Sequence, residues 1–236
     1  MKRLIEQIKI IHNLYIKNRC FIKRKTYSQD GEDKILEKIF KKTPLGVYID
    51  VGCYHPIEIS NTALLYNKGW NGINIDISAY SIRLFNFLKP DDINLNLAVS
   101  NLNDKVDIFY QKKLSKISTI NKKLSQKIFQ GKIITKKITC KKLTKIIDES
   151  IYKNREIHFL NIDAESHDLQ VLKSLDFNRY SPKIICIEIF PEGGDFKNFK
   201  VHESKVYKFL LERNYKLNWS GFFSHIFKLN TYRLNK

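Results

Sequence analysis

Short apolar runs alternate with amphipathic segments along most of the chain. Buried parallel strands are typically short β-branched runs, whereas amphipathic helices repeat apolar residues every three or four positions. On this basis, strands are predicted at 47–51, 72–76, 93–99, 105–110, 133–140, 156–163 and 183–190. Helices are predicted at 61–68, 80–89, 143–147, 168–175 and 206–211, and a hairpin at 215–219 and 225–229. This order predicts an α/β fold with one doubly wound, mostly parallel sheet and a C-terminal antiparallel hairpin.

Two helices are predicted ahead of the first strand. Residues 1–26 have an amphipathic helical pattern, with apolar positions at Leu4, Ile8, Ile11 and Tyr15. The apolar face predicts either docking on the domain, which is the commoner outcome, or contact with an anionic membrane surface. A second helix is predicted to begin within 28–33, with Asp30 as N-cap and Asp33 three residues later. Residues 27–236 are expected to form one domain, because no repeat or Pro/Gly-rich linker divides them.

The residues that follow the first two strands indicate a nucleotide-like ligand. Gly52 directly follows the first strand, and Asp76 ends the second strand 24 residues later. A glycine here permits close approach of a ligand, and an acid at this offset is typical of a carboxylate that binds both ribose hydroxyls. A turn glycine and a helix-capping acid would explain the same residues without a ligand. Because His55 and Pro56 replace the further glycines of a dinucleotide fingerprint, S-adenosylmethionine fits better than a pyrophosphate cofactor.

The positive charge is concentrated in two segments. Of the net charge of +18, residues 1–26 hold +7 and residues 111–145 hold +12, and the second segment contains a Lys-rich insertion at about 111–132. The two segments predict an anionic acceptor or membrane as partner, although a lysine-rich composition alone would produce the same counts. A nucleic-acid methyltransferase is the main alternative, and nucleic acid is not expected as a partner. The Asn/Asp-Pro-Pro-Tyr/Phe motif is absent, and aromatic residues are not interleaved with the lysines of 111–145.

Cysteine usage and hydropathy predict a cytoplasmic location. The four cysteines are scattered, without zinc-ligand spacing, which favours a reducing compartment. No apolar run reaches the roughly 18 residues of a spanning helix, and the start lacks the small-residue cleavage site of a signal peptide. The expectation is a cytoplasmic protein, with peripheral contact at the inner membrane face through residues 1–26.

Several segments, in the same order, resemble the FkbM-type S-adenosylmethionine-dependent methyltransferases. They are Ser28-Gln-Asp-Gly-Glu-Asp33, Asp50-Val-Gly-Cys-Tyr-His-Pro56, Ser60-Asn-Thr62, Gly69-Trp-Asn-Gly-Ile-Asn-Ile-Asp76, Asn94-Leu-Asn-Leu-Ala-Val-Ser100, Phe159-Leu-Asn-Ile-Asp-Ala-Glu-Ser-His-Asp168 and Val171-Leu-Lys-Ser-Leu175. The resemblance implies the class I methyltransferase (Rossmann-like) fold, with the cofactor beside the first strand. It also implies methylation of hydroxyls, often on sugars of surface polysaccharides or on secondary metabolites.

The resemblance also assigns cofactor-binding residues. Asp50 and Gly52 are expected at the methionine end of the cofactor, Asp76 at its ribose and Ser100 near its adenine. Further cofactor-binding residues are expected in the same segments at Gln29, Tyr54, His55 and Asn61. The family usually has Asp-Val-Glu-Gly where this chain has the segment 163–166, Asp-Ala-Glu-Ser. A serine in place of that glycine is expected to strain the turn or narrow the acceptor pocket.

Three side chains after a central strand are the predicted catalytic residues. Methyl transfer to a hydroxyl needs alignment of the reactants and a base for the hydroxyl proton. Asp163, Glu165 and His167 are predicted to face the same crevice as Gly52, with His167 as first choice of base and Asp163 as second. Capping of the following helix would explain His167 without catalysis. The function predicted is O-methylation of a sugar hydroxyl in surface polysaccharide or glycolipid biosynthesis, on an acceptor that is anionic or lipid-linked.

Two other hypotheses stay open. Asp163 and Glu165, with Asp30 or Glu32, offer oxygen ligands to Mg²⁺, but a divalent ion is the weaker hypothesis and no metal site is predicted. Glu188 interrupts an apolar strand and is expected to lie at the strand's end or to be hydrogen-bonded to a neighbour, in a structural role. The third class of function is a non-catalytic module of the same fold that binds a membrane or a partner.

Overall fold

The computed structural model describes residues 2–102, 104–111, 119–120, 122–191, 197 and 199–232. The strands are β1 (Val47–Val51), β2 (Asn71–Asp76), β3 (Ile93–Asn96), β4 (Ala98–Val99), β5 (Asp104–Tyr110), β6 (Ile134–Lys141), β7 (Phe159–Ile162), β8 (Ile184–Glu188), β9 (Tyr215–Ser220) and β10 (Ser224–Leu229). The α-helices are α1 (Lys2–Ile11), α2 (Glu32–Ile39), α3 (Ala63–Asn67), α4 (Ala79–Leu88), α5 (Lys122–Ile128), α6 (Leu143–Asp148), α7 (Asp168–Lys173) and α8 (Lys205–Leu211). A π-helical segment, His12–Lys17, continues α1, and a 3-10 turn, Val201–Glu203, precedes α8.

A seven-stranded sheet in the order β3-β2-β1-β7-β8-β10-β9 forms the centre of the fold. β1 pairs in parallel with β2 and β7, β2 with β3, and β7 with β8. β10 runs antiparallel to both β8 and β9. The predicted doubly wound, mostly parallel sheet with a C-terminal antiparallel hairpin is therefore confirmed.

The central strands are buried on both faces, which explains their near-continuous apolar sequence. In β1, Ile49 and Val51 pack in a large cluster with α6, α7 and α8. Tyr48, which precedes Ile49, points to the opposite face and packs with Phe40 and Trp70. Side chains that alternate between two helical layers in this way leave only the strand ends open to a ligand.

The predicted strand 93–99 is wrong as a single element. It divides at Leu97 into β3, an edge of the central sheet, and β4, which belongs to a second sheet in the order β4-β6-β5. The division has a simple cause in the register. Asn96 is paired with Asp76, the last residue of β2, so the chain beyond Asn96 has no partner in the central sheet. β4 pairs with β6 instead.

The predicted capping of the second helix is also wrong. The helix begins at Glu32 after Gly31, whose φ of 85° is left-handed, and no side chain caps it. Asp33 instead accepts hydrogen bonds from residues 26–28 at 2.7–2.8 Å, and Glu32 accepts one from the backbone N–H of Asp30 at 2.8 Å. The two acids therefore fix the loop before the helix.

The N-terminal helix forms as predicted but docks through a different face. Ile10 and Leu14 are its buried apolar residues, and they pack in one cluster with α3 and α4. The predicted stripe, Leu4, Ile8, Ile11 and Tyr15, faces solvent. The predicted division of the chain into residues 1–26 and a domain of residues 27–236 stays a prediction.

The Lys-rich insertion is described only in part. Residues 112–118 and 121 of the predicted insertion lie outside the described residues. The described part contains α5, and β6 pairs antiparallel with β5 along its whole length. Within the described residues, no helix is long and apolar enough to cross a membrane.

Candidate active site

A cavity of about 330 Å³ lies at the carboxyl ends of β1, β2, β7 and β8. Its volume is within the usual range for small-molecule sites, roughly 300–1,000 Å³. An apolar wall beside β2 and β4 is formed by Ile75, Ile77, Leu97 and Val99, and two further apolar side chains, Phe190 and Phe223, lie after β8 and before β10. The remaining lining is polar and mostly acidic, from Tyr54, Asp76, Asp163, Glu165, His167 and Glu188. The structure therefore brings the three predicted catalytic residues and the predicted ribose ligand into one cavity.

Gly52 joins the ends of three strands at this cavity. Its φ of 79° is left-handed, and its N–H donates to the carbonyl of Ile75 at 2.9 Å. A Cβ at this position would lie 1.7 Å from the carbonyl oxygen of Asp163. A glycine is therefore required, because the chain after β7 crosses directly over it. Gly52 also lines both cavities, so its predicted contact with a ligand stays a prediction beside this backbone contact.

Asp76 lies at the end of β2 and is held by two backbone N–H groups. Oδ2 accepts from Tyr54 at 2.8 Å, and Oδ1 accepts from Ser78 at 2.6 Å. The helix α4 is capped by Ser78, whose hydroxyl accepts from the N–H of Ser81, so Asp76 is not its cap. Burial raises the pKa of Asp76 to about 6, against the effect of the two backbone hydrogen bonds. Each carboxylate oxygen keeps acceptor capacity for a ligand.

Asp50 lies beneath the cavity in a closed hydrogen-bond network. Oδ1 accepts from Asn161 at 2.9 Å and Oδ2 accepts from the hydroxyl of Thr62 at 2.8 Å. Asn161 in turn accepts from Asn61 at 2.9 Å. Burial raises the pKa of Asp50, although the nearby Lys89 cation and both hydrogen bonds act in the opposite direction. Asp50 therefore orients the polar floor of the site.

Lys89 is a fully buried lysine that the sequence analysis did not identify. Its Nζ donates to the hydroxyl of Thr62 at 3.0 Å and lies 5.1–5.4 Å from the centroids of three aromatic rings, Tyr48, Tyr66 and Phe85. Burial lowers its pKa, whereas Asp92 and Asp50 raise it. A buried cation of this kind is stable only where charges and ring faces compensate it. Nothing in the local sequence distinguishes it from a solvated lysine at a helix end.

A smaller polar cavity adjoins the main one. Its lining includes Gln29, Glu32, Asn61 and Asp50, and Gln29 also lines the main cavity. Glu32 is almost completely buried. The loop before α2 therefore contributes an acid and an amide to the edge of the site. The predicted residues Gln29 and Asn61 both lie here.

His167 lines the main cavity and does not cap the next helix. It occupies the N-cap position of α7 without a side-chain capping bond. Its Nε2 lies 3.0 Å from the hydroxyl of Ser100, and that hydroxyl donates to Asn101 at 3.1 Å. Because the Ser100 hydroxyl donates its hydrogen to Asn101, it accepts a hydrogen bond from Nε2–H of His167. The unprotonated ring nitrogen, with its lone pair, is then Nδ1. Burial lowers the pKa of His167 to about 4, so the ring is neutral near neutral pH.

Ser100 itself does not line the cavity. It is fully buried, whereas the preceding residue, Val99, lines the apolar wall. Its hydroxyl acts on the site only through the ring of His167. Ser100 is thus separated from the cavity by its neighbours Val99 and His167, and its predicted place near the adenine stays a prediction.

Four carboxyl groups crowd the end of β7 and β8. Burial and the charge of Asp168 raise the pKa of Asp163, and burial with the charge of Asp163 raises that of Glu188. The two side chains are hydrogen-bonded, with the proton favoured on Glu188. Burial, then Asp163 and Asp168, raise the pKa of Glu165 to about 8. Adjacent buried carboxyl groups cannot all ionise, so this wall holds exchangeable protons near neutral pH.

The turn after β7 is strained. Glu165 and Ser166 have φ of 50° and 66°, a left-handed conformation that side chains with a Cβ rarely adopt. This conformation agrees with the expected strain at the position where the family usually has glycine. The turn directs Glu165 into the cavity, and Asp168 stabilises it by accepting from the N–H of Ala164 at 2.8 Å.

The structure does not bring His55 to either cavity. Nδ1 accepts from the N–H groups of Ile57 and Glu58 at 3.1 and 3.0 Å, and Nε2 donates to Asn13 at 2.7 Å. The ring is fully buried, and burial lowers its pKa to about 3. His55 therefore joins the loop after β1 to the N-terminal helical segment, while its neighbour Tyr54 lines the main cavity.

Glu188 ends β8 and is hydrogen-bonded to a neighbour, as predicted, but its place at the candidate site was not predicted. It lines both cavities and is hydrogen-bonded to Asp163. Its position at the end of an otherwise apolar strand could have indicated a site residue, because strand ends form the ligand crevice in such sheets. Among the described residues, no group of three or more His, Cys, Asp or Glu is arranged to hold a metal ion.

Comparison with known protein families matches residues 50–217 to the methyltransferase FkbM domain. Comparisons with curated proteins and with solved structures gave no significant match. The matched range covers most of the 236 residues and includes the end of β1, all of β2, β7 and β8, and every residue that lines the main cavity except Gln29 and Phe223. The sheet order agrees with the Rossmann-like methyltransferase fold. The chain therefore belongs to the FkbM methyltransferase family and is a methyltransferase.

Proposed function

We propose that this chain is an S-adenosylmethionine-dependent O-methyltransferase that acts on a sugar hydroxyl. The observation that carries the proposal is the cavity in which Asp76, at the end of β2, faces a group of acids and His167. When bound, S-adenosylmethionine supplies an electrophilic methyl group on a positively charged sulfur. The acidic wall suits that charge, because an opposite charge in a partly buried site is strongly stabilised.

The residues of the main cavity fit the parts of the cofactor. Asp76 is oriented by two backbone N–H groups and retains acceptor capacity for the ribose hydroxyls. The apolar wall, with Ile77, Leu97 and Val99, suits the adenine ring. The smaller cavity, with Gln29 and Glu32, suits the amino-acid end, since Glu32 is an acid next to the main cavity.

We assign the role of general base to His167. Its neutral ring and its hydrogen bond from Nε2 to Ser100 leave Nδ1 as the atom that takes the hydroxyl proton. Nδ1 would take the hydroxyl proton as the cofactor's methyl group passes from its sulfur to the acceptor oxygen, which would leave a neutral thioether. Asp163 is the second candidate, because its hydrogen bond from Glu188 favours the ionised form.

The acceptor we propose is a glycan that is anionic or lipid-linked, as in surface polysaccharide or glycolipid biosynthesis. Phe190 and Phe223 lie at the cavity with ring centroids 5.2 Å apart, and such rings pack well against the C–H face of a sugar. The lysines of 111–145 would attract an anionic acceptor from solution. Nucleic acid is not proposed as acceptor.

Replacement of Asp76 by alanine tests the cofactor site. We expect Asp76→Ala to weaken binding of S-adenosylmethionine by roughly 2 to 3 kcal/mol, because a charged hydrogen-bond acceptor is lost. Titration calorimetry measures the affinity. Asp107→Ala, an exposed acid on β5, is the matched control and should bind like wild type. Equal affinities for all three proteins would exclude this cofactor site.

A labelling experiment tests the transfer itself. Enzyme, S-adenosylmethionine with a labelled methyl group and a panel of glycans should give a labelled methyl ether. Ether-bound label survives mild alkali, whereas a methyl ester is cleaved. A protein that binds S-adenosylmethionine but labels only nucleic acid would support the alternative acceptor, and one that does not bind it would support a non-catalytic module.

A further inference from the structure

The N-terminal helix presents its apolar face to solvent. Leu4, Ile8 and Ile11 are 61%, 56% and 47% exposed, although they recur at helical spacing on one side of α1. The opposite side contacts the protein through Ile10 and Leu14, which are 7% and 0% exposed. The stronger apolar face of a docked helix normally points inward. Here it points outward.

The inner side of this helix is partly polar. Glu6 accepts from Arg83 of α4 at 2.9 Å, and Asn13 accepts from the buried ring of His55 at 2.7 Å. The hydroxyl of Tyr80 donates to the carbonyl of Lys9 at 3.2 Å. These contacts fix the orientation of the helix, so the outward apolar face is a built feature of the fold.

The apolar surface continues beyond the helix. Tyr15 is stacked on Phe21 with ring centroids 6.5 Å apart, and it meets Phe87 edge-on at 6.3 Å. All three rings are exposed, as are Ile16 and Ile22. We call Leu4, Ile5, Ile8, Ile11, Tyr15, Ile16, Phe21, Ile22 and Phe87 the N-terminal apolar surface. Nine exposed apolar side chains on one segment and its neighbour α4, three of them in ring contact, are typical of an interaction site.

Basic residues accompany this surface. Residues 1–26 contain eight Lys or Arg and one acid, Glu6, which Arg83 already neutralises. Exposed basic side chains occur along the same segment at Arg3, Lys9, Lys17, Arg19, Lys23 and Lys25. A second copy of the chain would bring the same positive charges against each other. An anionic partner that also accepts apolar side chains is therefore required.

We propose that the N-terminal apolar surface binds the face of a bilayer that contains anionic lipids. The exposed Ile, Leu and aromatic side chains enter the boundary between headgroups and acyl chains, and the basic residues contact the headgroups. This inference does not depend on the proposed cofactor or acceptor.

Vesicle sedimentation of the full chain tests the proposal. Phosphatidylcholine vesicles are compared with vesicles that also contain phosphatidylglycerol, and binding is expected only to the second kind. Ile8→Gln with Ile11→Gln should lower the partition coefficient roughly tenfold or more, because two apolar side chains no longer enter the lipid. Arg19→Gln with Lys23→Gln should weaken binding to the anionic vesicles and flatten its dependence on salt.

The matched control is Ile151→Gln with Leu211→Gln, which removes two equally exposed aliphatic side chains elsewhere. It should bind vesicles like wild type, and thermal unfolding should show that all variants fold. Absence of binding to anionic vesicles would overturn the proposal. Equal binding by the Ile8→Gln, Ile11→Gln variant and the Ile151→Gln, Leu211→Gln control would overturn it as well. A third outcome is that the protein self-associates but does not bind vesicles, and that only the Ile8→Gln, Ile11→Gln variant loses self-association. This outcome would identify a second copy as the partner and would also overturn the proposal.

Discussion

His167 is the residue on which the proposed proton transfer depends. We expect His167→Ala to lower kcat by about 10² to 10⁴ and to leave the affinity for S-adenosylmethionine unchanged, because only the base is lost. His202→Ala, an exposed histidine, is the control. In wild type at saturating S-adenosylmethionine, protonation of His167 at a pKa of about 4 removes the base, so kcat/KM for the acceptor should be level above pH 5 and fall below it. A variant with wild-type turnover would show that another group takes the proton.

Glu188 is expected to act as a protonated donor to Asp163. An amide donates the same hydrogen bond, so Glu188→Gln should keep kcat within about threefold, whereas Glu188→Ala should lower it roughly tenfold or more by leaving Asp163 without its donor. Steady-state kinetics at saturating S-adenosylmethionine measures both, with the exposed Glu212→Ala as control. A glutamine variant as slow as the alanine variant would mean that the ionised form of Glu188 is needed.

Single residues were predictable where backbone geometry fixes them. Gly52 and Asp76 end two adjacent parallel strands, so their spacing alone predicted that they meet. The burial of His55 and Lys89 was not predictable, because each depends on partners more than 20 residues away in the chain. Local pattern contains no information on such contacts.

The type of each helix or strand could be predicted from the sequence more reliably than the residues at which it ends. The predicted buried strands of the central sheet are confirmed. They were predictable because an apolar run of four to six residues between two helices rarely forms anything other than a strand. The division of 93–99 depended on where β2 ends, a fact of register that β3 itself does not encode. The sequence left two outcomes open for the apolar face of α1 and favoured docking on the domain, because periodicity identifies a stripe and not the side on which the protein lies.

The turn between β7 and α7 is expected to gain stability from a glycine. Ser166 has φ of 66°, which costs a residue with a Cβ about 1–2 kcal/mol, and glycine adopts it freely at some entropic cost. Ser166→Gly should therefore raise the free energy of unfolding by about 1 kcal/mol, measured by urea denaturation. Ala79→Gly, at the exposed start of α4, is the control and should lower it. A loss of stability in Ser166→Gly would show that the turn is not strained.

The whole molecule separates its charges between the surface and the site. Residues 1–26 and 111–145 hold the positive excess, whereas the main cavity is lined by Asp76, Asp163, Glu165 and Glu188. The sequence predicted the two basic segments by counting. It also predicted that Asp163 and Glu165 share a crevice with Gly52, but it did not predict that Glu188, from another strand, joins them. The consequence is a negative site for a positively charged cofactor on a strongly basic protein.

This arrangement predicts that S-adenosylmethionine binds with release of protons. Without ligand, the pKa is raised to about 6 at Asp76 and about 8 at Glu165, so both carry protons over part of the range from pH 6 to 8. A cation in the cavity favours the ionised carboxylates and lowers both pKa values. Protons that the free protein holds are then lost on binding, so the affinity should rise with pH between 6 and 8. Calorimetry in phosphate and in Tris, which differ in ionisation enthalpy, measures the number of protons released.

Two comparisons attribute that release to the charge of the sulfur and to a named acid. S-adenosylhomocysteine has the same parts except for the positive sulfur and methyl group, so it should release fewer protons than S-adenosylmethionine. Glu165→Gln removes the group with a pKa of about 8 and should reduce the release near pH 7. Equal heats in both buffers, or an affinity that falls as pH rises, would contradict the prediction. A release that is the same for both ligands would show that cavity closure, and not the sulfonium charge, expels the protons.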